Sequence, residues 1–181
     1  MLDDRILVFR FKRGSKQALS EIYEKYRDDL LRIASSLLSQ TQIAEDIVHD
    51  VFISFVRNRN NFELKSSLKN YLAVAVVNKA RSFYRNKERN TTIDNEQIEQ
   101  QVSKNKRPEH WILHNEQTAL LNNALEKLPI EQREAVALHI HGSMKFRQIA
   151  RLQDVSTKTA QSRYRYGIDK LRSLLDGKVT L

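Results

Sequence analysis

Ser156, Thr157, Lys158, Gln161, Arg163 and Arg165 lie close together near the C-terminal end of the chain. Their side chains suit reading a DNA groove. Arginine can pair bidentately with guanine and glutamine with adenine, while lysine and hydroxyl groups serve phosphate or base edges. Such residues read sequence only when a rigid element carries them, and the neighbouring residues predict one. Ser156 is a good helix N-cap, because its hydroxyl can accept from a backbone N–H left free at a helix start. After it, Ala160, Tyr164, Ile168, Leu171 and Leu175 recur at helical spacing on one face. Before it, Gly142 ends one helical pattern, and Phe146, Ile149, Ala150 and Leu152 form a short amphipathic run. A polar break at Gln153-Asp154 and Val155 then follow. The pattern predicts a helix-turn-helix whose second helix enters the major groove. An ordinary helical hairpin in a bundle is the bland alternative. Arg165, Lys170 and Arg172 suit phosphate contact or plain solvation.

A second basic set is Asn78, Lys79, Arg81, Arg85, Lys87 and Arg89, with Phe83 and Tyr84 interleaved. Cations that track a backbone beside rings that stack on bases suit single-stranded nucleic acid. A solvated face over core aromatics explains the same spacing equally well. Phe62, the one aromatic in a polar loop from 57 to 65, fits the nucleic-acid reading weakly.

Glu45, Asp46, His49 and Asp50 alternate in sequence with a strong apolar helix face, and Asp46 and Asp50, four apart, share one side. An acidic stripe in a basic protein suits a basic protein partner. Carboxylates also serve acid–base catalysis or a divalent cation. No second acidic cluster, glycine-rich phosphate loop or nucleophile arrangement accompanies these, so no catalytic residue is expected. His110 and His114 stand at metal-ligand spacing, and His139 and His141 lie near a helix end. Two nitrogens do not complete a zinc site, so neither a metal nor a cofactor is expected.

The composition agrees. The chain has 181 residues, a formal charge of +9, 40% hydrophobic and 29% charged residues. The charge excess favours a polyanionic partner. The absence of cysteine excludes disulfides and thiolate metal sites. No segment reads as a signal peptide or membrane span, so the expectation is a cytoplasmic protein without membrane insertion.

The elements are helical throughout. Leu2, Ile6 and Phe9 mark a first helix ending near Gly14. Ser15 caps a second, with Ala18, Leu19, Ile22, Tyr23, Tyr26, Leu30, Ile33, Ala34 and Leu37. Ile43, Ala44, Ile47, Val48, Val51, Phe52 and Phe55 make a third. Ser66 or Ser67 caps a fourth, which runs through Leu68, Tyr71, Leu72, Ala75 and Val76 to about Arg89. Residues 90–107 are polar and read as a solvated linker. Pro108 then opens a second domain. Trp111, Ile112, Leu120, Leu121, Ala124, Leu125 and Leu128 form one helix there, and Pro129 starts the next, before the helix-turn-helix. The fold class is all-α, with domains at 1–89 and 108–181.

Three stretches, in this order, resemble the extracytoplasmic-function sigma factors of bacterial RNA polymerase. They are residues 44–52 (AEDIVHDVF), Tyr71-Leu72 through Asn78 to Tyr84-Arg85, and the run from Leu128-Pro129 through Arg133-Glu134 and Ile149-Ala150 to Ser162-Arg163 and Lys170-Leu171-Arg172. The resemblance implies two helical domains, the region 2 bundle and the region 4 helix-turn-helix, joined by a flexible linker. It implies that Asp46, His49 and Asp50 dock on core polymerase. Phe62, Asn78, Lys79, Arg81, Ser82 and Arg85 would recognise and open the minus-ten element. Ser156, Thr157, Lys158, Gln161, Arg163 and Arg165 would read the minus-thirty-five element. The partners implied are core polymerase, promoter DNA and an anti-sigma factor, with a monomer when free and all catalysis left to polymerase. Departures fall on these elements: His49 for a usual Gln, Ser82 for a frequent Asp, Gln148 for a usual Glu, and Lys158-Thr159-Ala160 for a common Gly-Thr-Val. The competing reading is a dimeric helix-turn-helix regulator that is not a polymerase subunit. A third is a protein-interaction module whose basic face is only solvation.

Overall fold

A computed structural model describes residues 2–64, 67–91 and 116–176. Among them the order is α1 (Leu2–Lys12), α2 (Lys16–Leu37), α3 (Thr41–Arg57), α4 (Leu68–Thr91), α5 (Glu116–Glu126), α6 (Ile130–Ile140), α7 (Phe146–Leu152) and α8 (Thr157–Leu175). The described residues form helices and turns only, as the apolar spacing predicts. Pro108, His110, Trp111, Ile112, His114 and most of the expected linker lie outside the described residues.

The first domain is built on α2. Ser15 caps it, its Oγ accepting from the Ala18 N–H at 3.2 Å. Ala18, Ile22, Tyr26, Leu30, Ile33, Ala34 and Leu37 are all buried along one stripe. Helices α1, α3 and α4 pack against it, adding Val48, Val51, Phe55, Leu68, Leu72 and Val76 to the same core. Ser67 stands at the start of α4, with the Asn70 N–H 3.5 Å from its Oγ. Helix α4 runs on to Thr91, past the expected end of the domain.

Helix α1 forms where Leu2, Ile6 and Phe9 mark it, but its buried face is another one. Ile6 and Phe9 are 52% and 57% exposed, whereas Leu7, Val8 and Phe11 are buried. A polar contact selects that face. Asp4 accepts from the Tyr26 hydroxyl at 2.5 Å and from Lys25 Nζ at 2.9 Å. Burial pushes the Asp4 carboxyl up, but these donors outweigh it and hold the group below its ordinary value. At the end of α1, Gly14 takes a φ of +90°, while the Ser15 N–H reaches the Arg10 carbonyl at 3.1 Å. This turn needs the left-handed conformation that glycine adopts without steric cost.

In the second domain α8 crosses both α6 and α7. The α6 crossing depends on Gly167, where an added Cβ would stand 2.8 Å from Val136 Cγ2. Leu125, Leu128, Val136 and Leu171 form a small core beneath α5. The two domains also touch, because α2 packs on α6. Ala135, Leu138, Met144, Ile149 and Ala160 join the same apolar cluster as the α2 stripe.

Candidate nucleic-acid and polymerase interfaces

The turn between α7 and α8 is built without glycine. After α7, Asp154 takes a φ of +50°, a conformation that aspartate tolerates better than most residues. The Val155 N–H then reaches the Ala150 carbonyl at 3.0 Å, satisfying one of the carbonyls that α7 leaves free. Ser156 follows as the N-cap of α8, its Oγ accepting from the Thr159 N–H at 3.0 Å. At the start of α7, Gln148 Oε1 accepts from the Lys145 N–H at 2.9 Å. The departure from glutamate at this position therefore keeps the reciprocal half of a capping box.

The buried side of α8 carries Ala160, Gly167 and Leu171. Ser156, Thr157, Lys158, Gln161 and Arg165 are exposed on its other side. Tyr166, which the sequence reading passed over, is 56% exposed, and the Arg165 guanidinium lies 5.2 Å from its ring centroid. Arg163 is different. It is partly buried, and its Nη1 donates to Gln153 Oε1 at 2.9 Å. That end of the guanidinium faces the turn and not the outer surface.

On α4, Asn78 and Arg85 are exposed, and Ser82 is half-buried with Arg85 Nη2 3.4 Å from its Oγ. Lys79 Nζ lies 2.9 Å from Asp50 Oδ2. This pair links the basic helix to the acidic one, on which Asp46 is also exposed and His49 half-buried. Phe62 is 3% exposed. Its ring meets Phe55 edge-on at 5.0 Å and Tyr71 at 4.8 Å, and Lys12 Nζ donates to its carbonyl at 3.0 Å. Phe62 thus anchors the polar loop on the core and offers no ring face to a base in this conformation. Tyr84, expected among interleaved aromatics, donates to the Leu37 carbonyl at 2.7 Å.

Arg81 does not face outward. Its Nε and Nη2 donate to Glu134 Oε1 and Oε2 at 2.6 and 2.5 Å, and Nη1 lies 3.4 Å from the Leu152 carbonyl. Hydrogen bonding to Glu134 raises the Arg81 pKa still further. Glu134 itself is 2% exposed and also accepts from Gln153 Nε2 at 3.0 Å. Its neighbour Arg133 donates to the carbonyls of Leu37, Glu126 and Leu128 at 3.0, 3.0 and 3.1 Å. Sequence reasoning placed Arg133 and Glu134 in a motif without a task. The available signal was two charges inside the apolar run of α6, where burial requires partners.

His139 Nδ1 lies 2.9 Å from the Met144 carbonyl, and its ring stacks on Phe146 at 4.3 Å. Among the described residues no group of three or more His, Asp or Glu side chains is placed to hold a metal ion. No helix there is long and apolar enough to cross a membrane.

Comparison with known proteins agrees with this layout. The family model of sigma-70 region 2 matches residues 22–90, and that of sigma-70, region 4, matches residues 118–171. The chain is 24% identical over 186 residues to the ECF RNA polymerase sigma-E factor of Escherichia coli, covering 98% of this chain and 95% of that protein. It is 25% identical over 178 residues to the RNA polymerase sigma-H factor of Pseudomonas aeruginosa, covering 92% of each. Among solved structures it resembles the sigma factor RpoE of Bartonella quintana, crystallised with the anti-sigma factor NepR. That match has a TM-score of 0.65 and 25% identity, over 88% of this chain and 99% of that one. CnrH, solved with the cytosolic domain of CnrY, shares the fold at a TM-score of 0.67 and 22% identity, over 97% of this chain and 99% of that one.

Proposed function

The chain belongs to the sigma-70 family of RNA polymerase sigma factors, in its extracytoplasmic-function class, and from that premise we propose how its residues divide the work. A sigma factor binds core polymerase and directs initiation at particular promoters, so catalysis comes from polymerase. The observation that carries the assignment is the order of the two matched regions on one chain. A dimeric regulator accounts for the helix-turn-helix but not for the region 2 helices before it.

In the proposed division, residues 1–89 form the polymerase-binding and minus-ten domain, 90–107 the linker and 108–181 the minus-thirty-five domain. Asp46, His49 and Asp50 on α3 meet core polymerase. Asn78, Lys79, Arg81, Ser82 and Arg85 on α4 meet the minus-ten element, with Phe62 fixing the loop beside them. Ser156, Thr157, Lys158, Gln161 and Arg165 meet the minus-thirty-five element. Ser156 is supported by its place at the helix start, where phosphate is favoured. Arg163 joins this set once its contact with Gln153 is released. Two weak DNA-binding surfaces on one chain act together only when geometry permits both, and polymerase supplies that geometry. The free chain is accordingly a monomer that binds promoters weakly. An anti-sigma factor is a further partner, by analogy with the RpoE–NepR complex, and the compartment is the cytoplasm.

Run-off transcription with bacterial core polymerase on a pool of genomic promoter fragments tests the assignment. Discrete transcripts that require the chain are expected. Absence of both transcripts and core binding would return the dimeric regulator to first place.

A further inference from the structure

The contact between the domains uses Arg81, which the proposed minus-ten surface also claims. Every nitrogen of the Arg81 guanidinium points at the second domain, two at the Glu134 carboxylate and one toward the Leu152 carbonyl. Glu134 is tied to Gln153, and Gln153 is tied to Arg163. A continuous polar chain therefore joins α4 to α8. Around it, Arg133 donates to the Leu37 carbonyl at 3.0 Å, and Lys69 Nζ lies 3.4 Å from Ser143 Oγ. The carboxylate is almost fully enclosed, so losing its cation leaves a buried charge poorly compensated.

We propose that Glu134 is a built-in competitor of promoter DNA: in the closed chain its carboxylate occupies Arg81 as a phosphate would, and minus-ten binding requires the two domains to separate. The inference rests on the assignment of Arg81 to the minus-ten surface. One guanidinium cannot give the same donors to Glu134 and to DNA. The carboxylate also repels any phosphate that approaches α4 while the domains are closed. Core polymerase, by holding the domains apart, would remove the competitor.

The test uses the full chain, and two perturbations of opposite sign. Glu134→Gln keeps the side-chain shape and an acceptor but removes the charge that holds Arg81. In the folded variant, the affinity of the free chain for a fork-junction minus-ten fragment should rise at least five-fold at fixed salt. The radius of gyration from X-ray scattering should increase, and transcription with core polymerase should stay within two-fold. The second perturbation exploits the absence of cysteine. Lys69→Cys with Ser143→Cys places one thiol on each domain, to be joined by a reducible bis-maleimide. Joining should abolish fork-junction binding and transcription, and a reductant should restore both. A joined chain that binds DNA as well as the unjoined chain overturns the proposal, as does an unchanged affinity in folded Glu134→Gln. Arg81→Ala in the polymerase complex isolates the premise. Unaltered promoter melting there removes Arg81 from the minus-ten surface and the competitor role with it. In that case, expansion of Glu134→Gln in scattering would still be seen, marking a latch that holds the domains without competing for DNA.

Discussion

At the scale of single residues, α8 exposes side chains of two kinds, one suited to specifying a base and one to positioning on phosphate. Gln161 is exposed on a capped helix, and its amide can bond an adenine edge at two points. Gln161→Ala should cost about 1–3 kcal/mol on the preferred promoter and relax selection at one minus-thirty-five base pair. Promoter-library transcription with the variant holoenzyme measures this, and an equal loss on every promoter would make Gln161 a backbone contact. Lys158, also exposed near the helix start, is a point charge suited to phosphate. Its alanine variant should weaken binding on all sequences alike and reduce the salt slope by about 1. Fluorescence anisotropy across a salt series separates the two behaviours. Arg163 is held differently. Its spacing fits base reading, and its Nη1 bond to Gln153 braces the turn, so base reading by Arg163 requires that bond to be released.

At the scale of elements, what sets α8 in place is a cap at one end and a close crossing in the middle. Ser156→Ala removes the Oγ that accepts from the Thr159 N–H and should cost about 1 kcal/mol of stability. Gly167→Ala puts a methyl group 2.8 Å from Val136 Cγ2. That overpacks the α6 crossing and should cost about 1–3 kcal/mol. Urea denaturation of the two variants checks both, and a Gly167→Ala chain as stable as the parent would mean that α6 and α8 shift apart freely. The caps and stripes behind these predictions were legible in the sequence. Ser15 and Ser156 cap the helices they were expected to cap, and the α2 stripe is buried as its spacing requires. In α1 the sequence offers two apolar sets at helical spacing, Leu2, Ile6 and Phe9 or Leu7, Val8 and Phe11, and spacing alone does not choose between them. The bonds from Tyr26 and Lys25 to Asp4 go with the second set, which is buried while Ile6 and Phe9 stay outside. The place of Phe62 is equally hidden from local sequence. A lone aromatic in a polar loop looks available, but the Phe55 and Tyr71 rings that cover it come from α3 and α4. The polar chain through Arg81, Glu134 and Gln153 joins residues far apart in sequence, and no local pattern announces such a meeting.

At the scale of the whole molecule, closure of the two domains should depend on pH through His141. This histidine, just after α6, is half-buried and feels the charges of Arg32 and Asp29 on α2 and of Lys69 on α4. Burial lowers its pKa below the ordinary 6.5, and Arg32 and Lys69 lower it further, while Asp29 opposes them. Asp29 cannot compensate fully, because it already pairs with Lys69 at 2.6 Å and lies 3.9 Å from Arg32. The closed state therefore prefers neutral His141. A group whose folded pKa is depressed contributes stability that is complete above its unfolded value and is lost as the pH falls toward the folded one. The closed arrangement should thus be unaffected by His141 above about pH 6.5 and weaken progressively below it. Bis-maleimide joining of Lys69→Cys and Ser143→Cys chains at pH 7.5 and 5.5 is confounded by thiol reactivity, so scattering is the better readout. The radius of gyration should grow on acidification in the parent chain, and His141→Gln, which cannot take up a proton, should flatten that response. An equal expansion in the variant would trace the pH dependence to other groups and leave the closed state governed by Arg81, Glu134 and the apolar seam between α2 and α6.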